Sequence, residues 1–438
     1  MSVGRDALHT LLFQGAALGV GLVNNILIAR TLGPEGKGLI TFLAYVIFVL
    51  TSLASLGQHT AAVQLLGKQA YPPRTLAATQ ISISLLAWLL CLPVLWLAVP
   101  HFGERVGVPS AFLVPLALVT LLNLLQQSLG GILIGLSRLA LLNRLQLVVP
   151  IAWLGVLLTV VLAGGGDRIV AGYAWMAAMA VAPLLLLGWI VRRVRPAWRD
   201  WRACARSVLR FGLEAHVASL LWILLLRADG FLLGAWSGAA VLGVYSMSVL
   251  LAELLWYLPR SITLALSPRV SAGAAEEGRK LTERAVRISA VTVAAAAIVL
   301  VAVARPLIQL AFGEAFLGAM PAFLLLLPGI LCGAVASPIF LYFTQQRGRP
   351  RITAVASGIG LALNLALLAW WIPDHGALGA AAASSCAYGV VTVLVLARFA
   401  REPGFSWRAL WPVRRGDLRL MRDLVLSVTS IDQSGGPD

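Results

Sequence analysis

The sequence predicts an all-α polytopic membrane protein with twelve transmembrane helices in two six-helix bundles. Three observations support this fold class: the composition, the lengths of the apolar runs and the placement of the basic residues. Of the 438 residues, 60% are hydrophobic and only 12% are charged, whereas a soluble domain carries roughly 25% charged residues. The composition therefore places most of the chain in a lipid environment.

The apolar runs predict the number of helices. An α-helix needs about 20 residues to cross a ~30 Å hydrocarbon core, and twelve runs of this kind occur between Leu8 and Ala397. The second run spans Leu39 to Leu66. Arg5 and Asp6 precede the first run without a small-residue cleavage pattern. We therefore expect the first run to remain as a helix and not to be removed as a signal peptide.

The basic residues predict the topology. If the amino terminus is cytoplasmic and the chain alternates at each run, 28 of the 34 Lys and Arg residues fall on the cytoplasmic side, which is the bias typical of membrane proteins. Both termini are then expected in the cytoplasm. The net charge of +16 does not indicate a nucleic-acid partner, because the basic residues lie between apolar runs and form no continuous stripe.

We divide the chain into four segments. These are an N-terminal six-helix bundle (1–191), a cytoplasmic Arg-rich connector (192–210), a C-terminal six-helix bundle (211–400) and a cytoplasmic basic tail (401–438). The connector, with Trp198 and Trp201 among its arginines, fits an interfacial helix against anionic headgroups or a plain linker. In the tail, a surface helix is predicted from Asp417 to Leu426 and disorder from Ser430 onwards.

An internal repeat relates the two bundles. Leu32-Gly33 and Leu233-Gly234 each end a helix before a glycine-containing turn, and they are offset by 201 residues. Each half contains six predicted spans, so both halves begin on the same side of the membrane and the repeat is parallel, with a pseudo-two-fold axis along the membrane normal. Transporters built in this way bind substrate between their halves and expose it alternately to the two sides.

Charged residues interrupt two of the apolar runs, Phe211 to Gly234 and Ala240 to Ile262. They include Arg227, Asp229 and Glu253. An ionised side chain that faces lipid costs at least ~2.5 kcal/mol, so these residues are expected to face protein or a watery cavity. Arg227 and Asp229 point about 200° apart on an ideal helix, which makes Glu253 the best predicted partner of Arg227. Asp229 and Glu253 are also candidates for ion coupling. A structural ion network between helices explains the same residues equally well.

Neutral polar residues on other spans are candidates for lining a polar path. They are Asn24 and Asn25 on the first span, Gln58 on the second and Gln126 on the fourth. Hydrogen bonding between helices explains each of them without any transport role. No Walker motif, H-E-x-x-H motif or pair of inner-loop carboxylates occurs, so we predict no cofactor, no metal site and no catalytic activity. Any transport energy must then come from an ion gradient, the membrane potential or downhill substrate flow.

Several short stretches resemble a known family. The segment from Ile28 to Gly38 resembles the first-loop signature of the polysaccharide-biosynthesis flippases, which are bacterial exporters of lipid-linked oligosaccharides. A second set resembles the seventh and eighth helices of that family: Arg210-Phe211-Gly212-Leu213, Leu226-Arg227-Ala228-Asp229, Leu233-Gly234, Gly243-Val244-Tyr245-Ser246, Ala252-Glu253-Leu254-Leu255-Trp256 and Pro268-Arg269-Val270. The twelve-span layout extends the similarity over most of the chain.

This resemblance implies the fold of the multidrug and oligosaccharidyl-lipid exporter superfamily. It also implies translocation of an undecaprenyl-diphosphate-linked glycan across the bacterial inner membrane for cell-surface polysaccharide biosynthesis, such as lipopolysaccharide or exopolysaccharide. The partners implied are the lipid-linked oligosaccharide, membrane lipids, a glycan polymerase and glycosyltransferases.

Other functions remain open. A cation-coupled drug or metabolite exporter of the same superfamily is the main alternative, and it predicts cation binding through Asp229 and Glu253. A membrane enzyme of glycan assembly is disfavoured, because no predicted outer loop exceeds about a dozen residues. A non-transporting scaffold would tolerate neutral replacements at Arg227 and Glu253.

Overall fold

A computed structural model describes residues 3–162, 167–272 and 275–410, and the regular structure of these residues is entirely helical. Their α-helices are α1 (Val3–Ala54), α2 (Gln58–Gly67), α3 (Pro73–Gly103), α4 (Leu113–Gly135), α5 (Leu139–Leu162), α6 (Arg168–Trp189), α7 (Trp201–Ser237), α8 (Ala239–Ala272), α9 (Ala275–Ala311), α10 (Ala319–Leu341) and α11 (Pro350–Phe399). One π-helical turn, Ile190–Val194, extends α6, and another, Tyr342–Gln346, extends α10.

Two of these helices contain two spans each. With 52 and 50 residues, α1 and α11 are far longer than the roughly 20 residues that cross a membrane once. Each is broken at a glycine with positive φ, Gly33 (φ 63°) in α1 and Gly376 (φ 53°) in α11, a conformation that glycine adopts at little cost. Among the described residues, ten helices are long and apolar enough to cross a membrane. Since α1 and α11 count twice, the predicted twelve spans are confirmed.

The surface of the long helices is apolar. Leu97 on α3 is 76% exposed and Leu310 on α9 is 79% exposed, and many other large hydrophobic side chains are exposed in the same way. Such a surface is stable against hydrocarbon, where helices satisfy their backbone hydrogen bonds internally. The chain is therefore a multi-pass membrane protein.

The described residues form two compact units. Unit 1 comprises the described residues within 1–223 and 230–243, and unit 2 those within 224–229 and 244–410. In unit 1, the second arm of α1 packs against α4, α5 and α6. Its core includes Phe42, Leu116 and Leu157, none of which is exposed.

A close backbone approach fixes part of unit 1. A Cβ atom on Gly38 would lie 1.8 Å from the carbonyl oxygen of Ala239, and one on Gly57 would lie 2.1 Å from the carbonyl oxygen of Gly212. Only a residue without a side chain fits at either place. These glycines allow helices of unit 1 to touch through their backbones, as small residues commonly do in membrane proteins.

Unit 2 is built mainly from α8 to α11. At one end of it, Glu402 is buried and accepts a hydrogen bond of 3.0 Å from the Tyr342 hydroxyl. Arg347 forms an ion pair with Glu402, and Arg398 lies 3.7 Å from the same carboxylate. This Glu402 cluster joins the segment after α11 to the end of α10.

Two predicted boundaries are wrong. The run from Leu39 to Leu66 is not one helix, because Leu56 (φ 47°) and Gly57 (φ 69°) interrupt it, and the ten-residue α2 follows. Gly234 does not end its helix either. α7 continues to Ser237, and the break lies at Gly238 (φ 86°, ψ 178°), whose conformation resembles that of Gly33 (φ 63°, ψ −168°).

The predicted connector contains no separate interfacial helix. After the π-helical turn ends at Val194, a non-helical stretch follows, and α7 begins at Trp201. The arginines from Arg202 to Arg210 therefore lie on the first turns of α7. The predicted tail helix from Asp417 to Leu426 and the predicted disorder from Ser430 lie outside the described residues.

Candidate functional site

The charged residues inside the spans of unit 2 come together. Arg227 on α7 donates a hydrogen bond to Glu253 on α8 in an ion pair, and the two side chains are 24% and 32% exposed. The predicted pairing of these two residues is confirmed. Pairing offsets much of the cost of placing each charge inside a span. Neither side chain is fully buried.

Asp229 lies in a different environment, although it is only two residues from Arg227. It is buried, and its Oδ2 atom accepts hydrogen bonds from the Tyr245 hydroxyl at 2.6 Å and the Ser384 hydroxyl at 3.0 Å. Hydrogen bonds to a charged acceptor are the strong ones. These contacts favour a role for Asp229 in holding α7, α8 and α11 together over direct ion coupling, which stays a prediction for this residue.

Aromatic side chains lie beside this site. Tyr388 shares a hydrogen bond with Ser384 and lies within electrostatic range of Arg227, Asp229 and Glu253. Its ring centroid is 5.7 Å from that of Trp256. Gly333 leaves room for the Trp256 indole, since a Cβ there would lie 3.0 Å from Nε1. A guanidinium beside rigid aromatic rings suits a ligand that combines phosphate with less polar groups.

One buried amide in unit 2 was not predicted. Asn364 on α11 has no exposed surface, and its Nδ2 atom donates a hydrogen bond of 3.2 Å to the carbonyl oxygen of Leu225. Leu225 lies two residues before Arg227 on α7, so this bond helps to set the position of Arg227. The only sequence signal for Asn364 is an amide within an apolar run, a signal shared by other candidates.

Three of the four predicted amide residues, all in unit 1, have packing roles. Asn24 is buried and donates to the Pro150 carbonyl oxygen at 2.8 Å. Gln58 is also buried, and its Oε1 atom accepts from the Ser84 hydroxyl at 3.4 Å. Asn25 accepts from the Lys37 ammonium at 2.7 Å. These contacts match the hydrogen-bonding interpretation, and a path-lining role for these three residues stays a prediction.

Gln126 lies differently, at a cavity of about 350 Å³ in unit 1 whose surface is mostly apolar. The second arm of α1, together with α4 and α6, forms the walls. Five of the ten lining residues are nevertheless polar: Thr51, Ser52, Asn123, Gln126 and Gln127. Its volume lies in the range of small-molecule sites, roughly 300–1,000 Å³. Gln126 therefore lies at a cavity of small-molecule size, and its path-lining role stays a prediction.

Lys37 is buried in a helix, whereas the sequence predicts that it lies in a turn. The sequence predicts a glycine-containing turn after Leu32-Gly33, but the helix resumes directly after Gly33. Pro34 is compatible with this position, because the first turn of a helix does not need its missing N–H. Lys37 then falls in the second arm of α1, where it is only 8% exposed.

No metal site is formed by the described residues, since no group of three or more His, Cys, Asp or Glu side chains among them is placed to hold an ion. The chemistry of the described site is therefore that of an ion pair, hydroxyl groups, amides and aromatic rings.

Comparisons with known proteins agree with this architecture. A family model described as "Polysaccharide biosynthesis protein" matches residues 3–273. No curated protein matches the chain. Among solved structures, the lipid II flippase MurJ in an inward closed conformation is 12% identical, with a TM-score of 0.70, covering 98% of this chain and 94% of that chain.

Two further structures are similar. An inward-facing multidrug resistance MATE family transporter of the MOP superfamily is 14% identical, with a TM-score of 0.67 and coverage of 100% of this chain and 97% of that chain. A MOP superfamily transporter from Pyrococcus furiosus is 14% identical, with a TM-score of 0.55 and coverage of 98% and 95%. These likenesses show that the chain has the fold shared by these proteins, as the predicted fold class requires.

Proposed function

Because the chain belongs to the polysaccharide biosynthesis protein family, we propose that it is a flippase for an undecaprenyl-diphosphate-linked oligosaccharide. It moves this lipid from the cytoplasmic to the outer leaflet of the bacterial inner membrane, for the synthesis of a cell-surface polysaccharide such as lipopolysaccharide or exopolysaccharide. The partly exposed Arg227–Glu253 pair inside the spans carries the proposal. The structural likeness to a lipid II flippase supports it.

Arg227 is the proposed contact for the diphosphate. Its planar guanidinium carries five N–H donors and matches phosphate oxygens in pairs. Glu253 holds the guanidinium when no substrate is bound. An entering diphosphate competes with Glu253 for these donors, and Glu253 then turns away. This movement couples the position of Glu253 to the presence of substrate.

Alternating access supplies the movement. The glycine breaks at Gly33 and Gly376 divide α1 and α11 into arms, and such breaks are positions where backbone torsion can change during a transport cycle. In this proposal both termini lie in the cytoplasm. Glycosyltransferases act before the flippase, and a glycan polymerase acts after it.

A cation-coupled drug or metabolite exporter is the second candidate function. The likeness to a MATE family transporter favours it, as do two carboxylates within the spans, Asp229 and Glu253. This function predicts drug sensitivity and normal surface glycans in cells that lack the protein. The flippase predicts the reverse.

The test uses a deletion strain complemented with Arg227→Ala, Arg227→Lys or the native chain. Arg227→Ala is expected to abolish surface glycan while the protein still accumulates in the membrane, and Arg227→Lys to restore export only in part. Arg168→Ala is the matched control, because Arg168 forms an exposed ion pair with Glu35 outside the proposed site. Normal glycan export in Arg227→Ala cells would remove Arg227 from the mechanism.

A further inference from the structure

A second cavity, of about 720 Å³, lies in unit 1 where several helices end. Three arginines from three separate segments line it. Arg74 comes from the first turn of α3, Arg138 from the turn between α4 and α5, and Arg193 from the π-helical turn after α6. Leu136, Trp189 and Val194 provide an apolar part of the wall. We refer to this feature as the arginine cavity.

No carboxylate lines the arginine cavity. The guanidinium groups of Arg74, Arg138 and Arg193 are on exposed residues, and none of them forms an ion pair within the described part of the chain. Three like charges that converge on one space repel each other unless an anion enters. Each guanidinium offers five donors. The cavity is therefore suited to an anion with several acceptor oxygens.

Backbone contacts fix the positions of two of the three arginines, Arg74 and Arg138. The Ala197 amide donates to the Arg74 carbonyl oxygen at 3.1 Å, which joins the stretch after α6 to the start of α3. The Arg138 amide donates to Leu133 at 2.7 Å and closes the turn after α4. The backbone at Arg74 and Arg138 is thus fixed, so at these two residues binding has to order only the side chains.

We propose that the arginine cavity binds a phosphate group. A phosphate presents several oxygens to guanidinium donors, and paired contacts of this kind are strong and specific. Two observations point to a phospholipid headgroup as the source. Part of the wall is apolar, and the nearby Trp198 is exposed while its indole N–H donates to Ser82 at 3.1 Å, an arrangement typical of tryptophans at the membrane interface. Free phosphate has the same headgroup chemistry without the lipid tails.

This site goes beyond the proposed function. It belongs to unit 1, whereas the Arg227–Glu253 pair belongs to unit 2, and it does not depend on which lipid-linked molecule is carried. Loss of phosphate binding and loss of glycan export are separate measurements, so either proposal can fail alone.

The experiment is native mass spectrometry of the purified full-length protein. Phosphatidylglycerol, phosphatidylcholine and inorganic pyrophosphate are each added, and the retained molecules are counted. The native protein is expected to retain phosphatidylglycerol in preference to phosphatidylcholine. The triple variant Arg74→Gln/Arg138→Gln/Arg193→Gln is expected to bind it at least about tenfold more weakly, because each lost contact is a hydrogen bond to a charged group.

The matched control is Arg144→Gln/Arg199→Gln/Arg206→Gln. It removes the same charge from exposed residues that do not line the arginine cavity, and it is expected to bind phosphatidylglycerol like the native protein. An equal loss of phosphatidylglycerol binding in both triple variants would show that only the general surface charge matters, and it would overturn the proposal. The proposal would also be overturned if the native protein retained phosphatidylglycerol no better than phosphatidylcholine. Cavity-dependent retention of pyrophosphate without phosphatidylglycerol would support the phosphate site and identify free phosphate as its source.

A second variant guards against misfolding. Arg74→Lys/Arg138→Lys/Arg193→Lys keeps the charge but loses the planar fork of donors, so its binding is expected to lie between those of the native protein and the Gln variant. Thermal unfolding of each variant shows whether the helices remain folded. Native binding by a folded Lys variant, together with native binding by the Gln variant, would exclude the arginine cavity as the site.

Discussion

The Lys37 ammonium donates a hydrogen bond of 2.7 Å to the Asn25 Oδ1 atom, and the Gly33 break of α1 lies between the two residues in the chain. Asn25 lies on the first arm of α1 and Lys37 on the second. The bond therefore connects the two arms and also satisfies a buried cation that would otherwise lose its hydration.

Removing the acceptor is expected to destabilise unit 1. Asn25→Ala leaves the Lys37 ammonium without this partner, and we expect a loss of about 1–3 kcal/mol in the free energy of unfolding. Lys37→Met/Asn25→Ala is expected to be more stable than Asn25→Ala alone, because the charge has been removed as well. Denaturant unfolding of the purified protein in detergent measures both. Native stability of Asn25→Ala would show that the bond contributes nothing, and equal stability of the two variants would show that the unpaired charge costs nothing.

The Arg227–Glu253 pair allows a test that separates structure from transport. Glu253→Gln removes the Glu253 carboxylate from this ion pair, and we expect a destabilisation of about 1–3 kcal/mol, below that of a fully buried pair because both side chains are partly exposed. The double variant Arg227→Gln/Glu253→Gln is expected to recover most of this stability but no glycan export. Recovery of both would assign the pair a purely structural role.

The exposed pair Arg168–Glu35 provides the comparison for that experiment. Its nitrogen and oxygen are 2.6 Å apart, but both side chains are more than a third exposed. Surface ion pairs contribute little to stability, so we expect Arg168→Gln/Glu35→Gln to unfold and export like the native protein.

Loss of either hydroxyl donor to Asp229 is expected to lower the stability of the protein. Tyr245→Phe removes the donor at 2.6 Å and should lower the stability by about 1.5–3 kcal/mol, as is typical for hydrogen bonds to charged groups. Tyr257→Phe on the same helix is the control, because Tyr257 is exposed. Thermal unfolding and glycan export are measured together. Lost export at native stability in Tyr245→Phe would instead place Asp229 in the transport mechanism.

The close approach at Gly38 predicts a severe packing defect. Ala at this position would place a Cβ 1.8 Å from the Ala239 carbonyl oxygen, and neither backbone can move without shifting its helix. We expect Gly38→Ala to accumulate poorly in the membrane. Gly155→Ala is the control, since nothing lies within 4 Å of a Cβ there, and alanine favours a helix over glycine by about 1 kcal/mol. Native levels of Gly38→Ala in membranes would contradict this packing.

Physical rules explain which parts of the site the sequence predicted. Arg227 and Glu253 could be paired because two opposite charges inside apolar spans have few alternatives. The environment of Asp229 could not be predicted in the same way. Its partner Ser384 lies 155 residues away in the chain, and hydroxyl residues are too frequent in membrane helices to identify a partner by type.

The fold, like the site, was predictable only in part from the sequence. Run lengths predicted twelve spans, because membrane thickness sets them. Run length does not reveal the break at Leu56 and Gly57, because apolar residues continue on both sides of it. The glycines and proline after Leu32 are typical of a turn, whereas Pro34 also suits the start of a helix.

The Glu402 cluster has a practical consequence for reporter fusions. A fluorescent or enzymatic tag joined directly after α11, at residue 400, would replace Glu402 and withdraw the shared counter-charge of Arg347 and Arg398. Such a fusion would report on a weakened protein, and its signal could be mistaken for an effect of topology. Tags for locating the carboxyl terminus belong beyond Leu410, where the cluster stays whole.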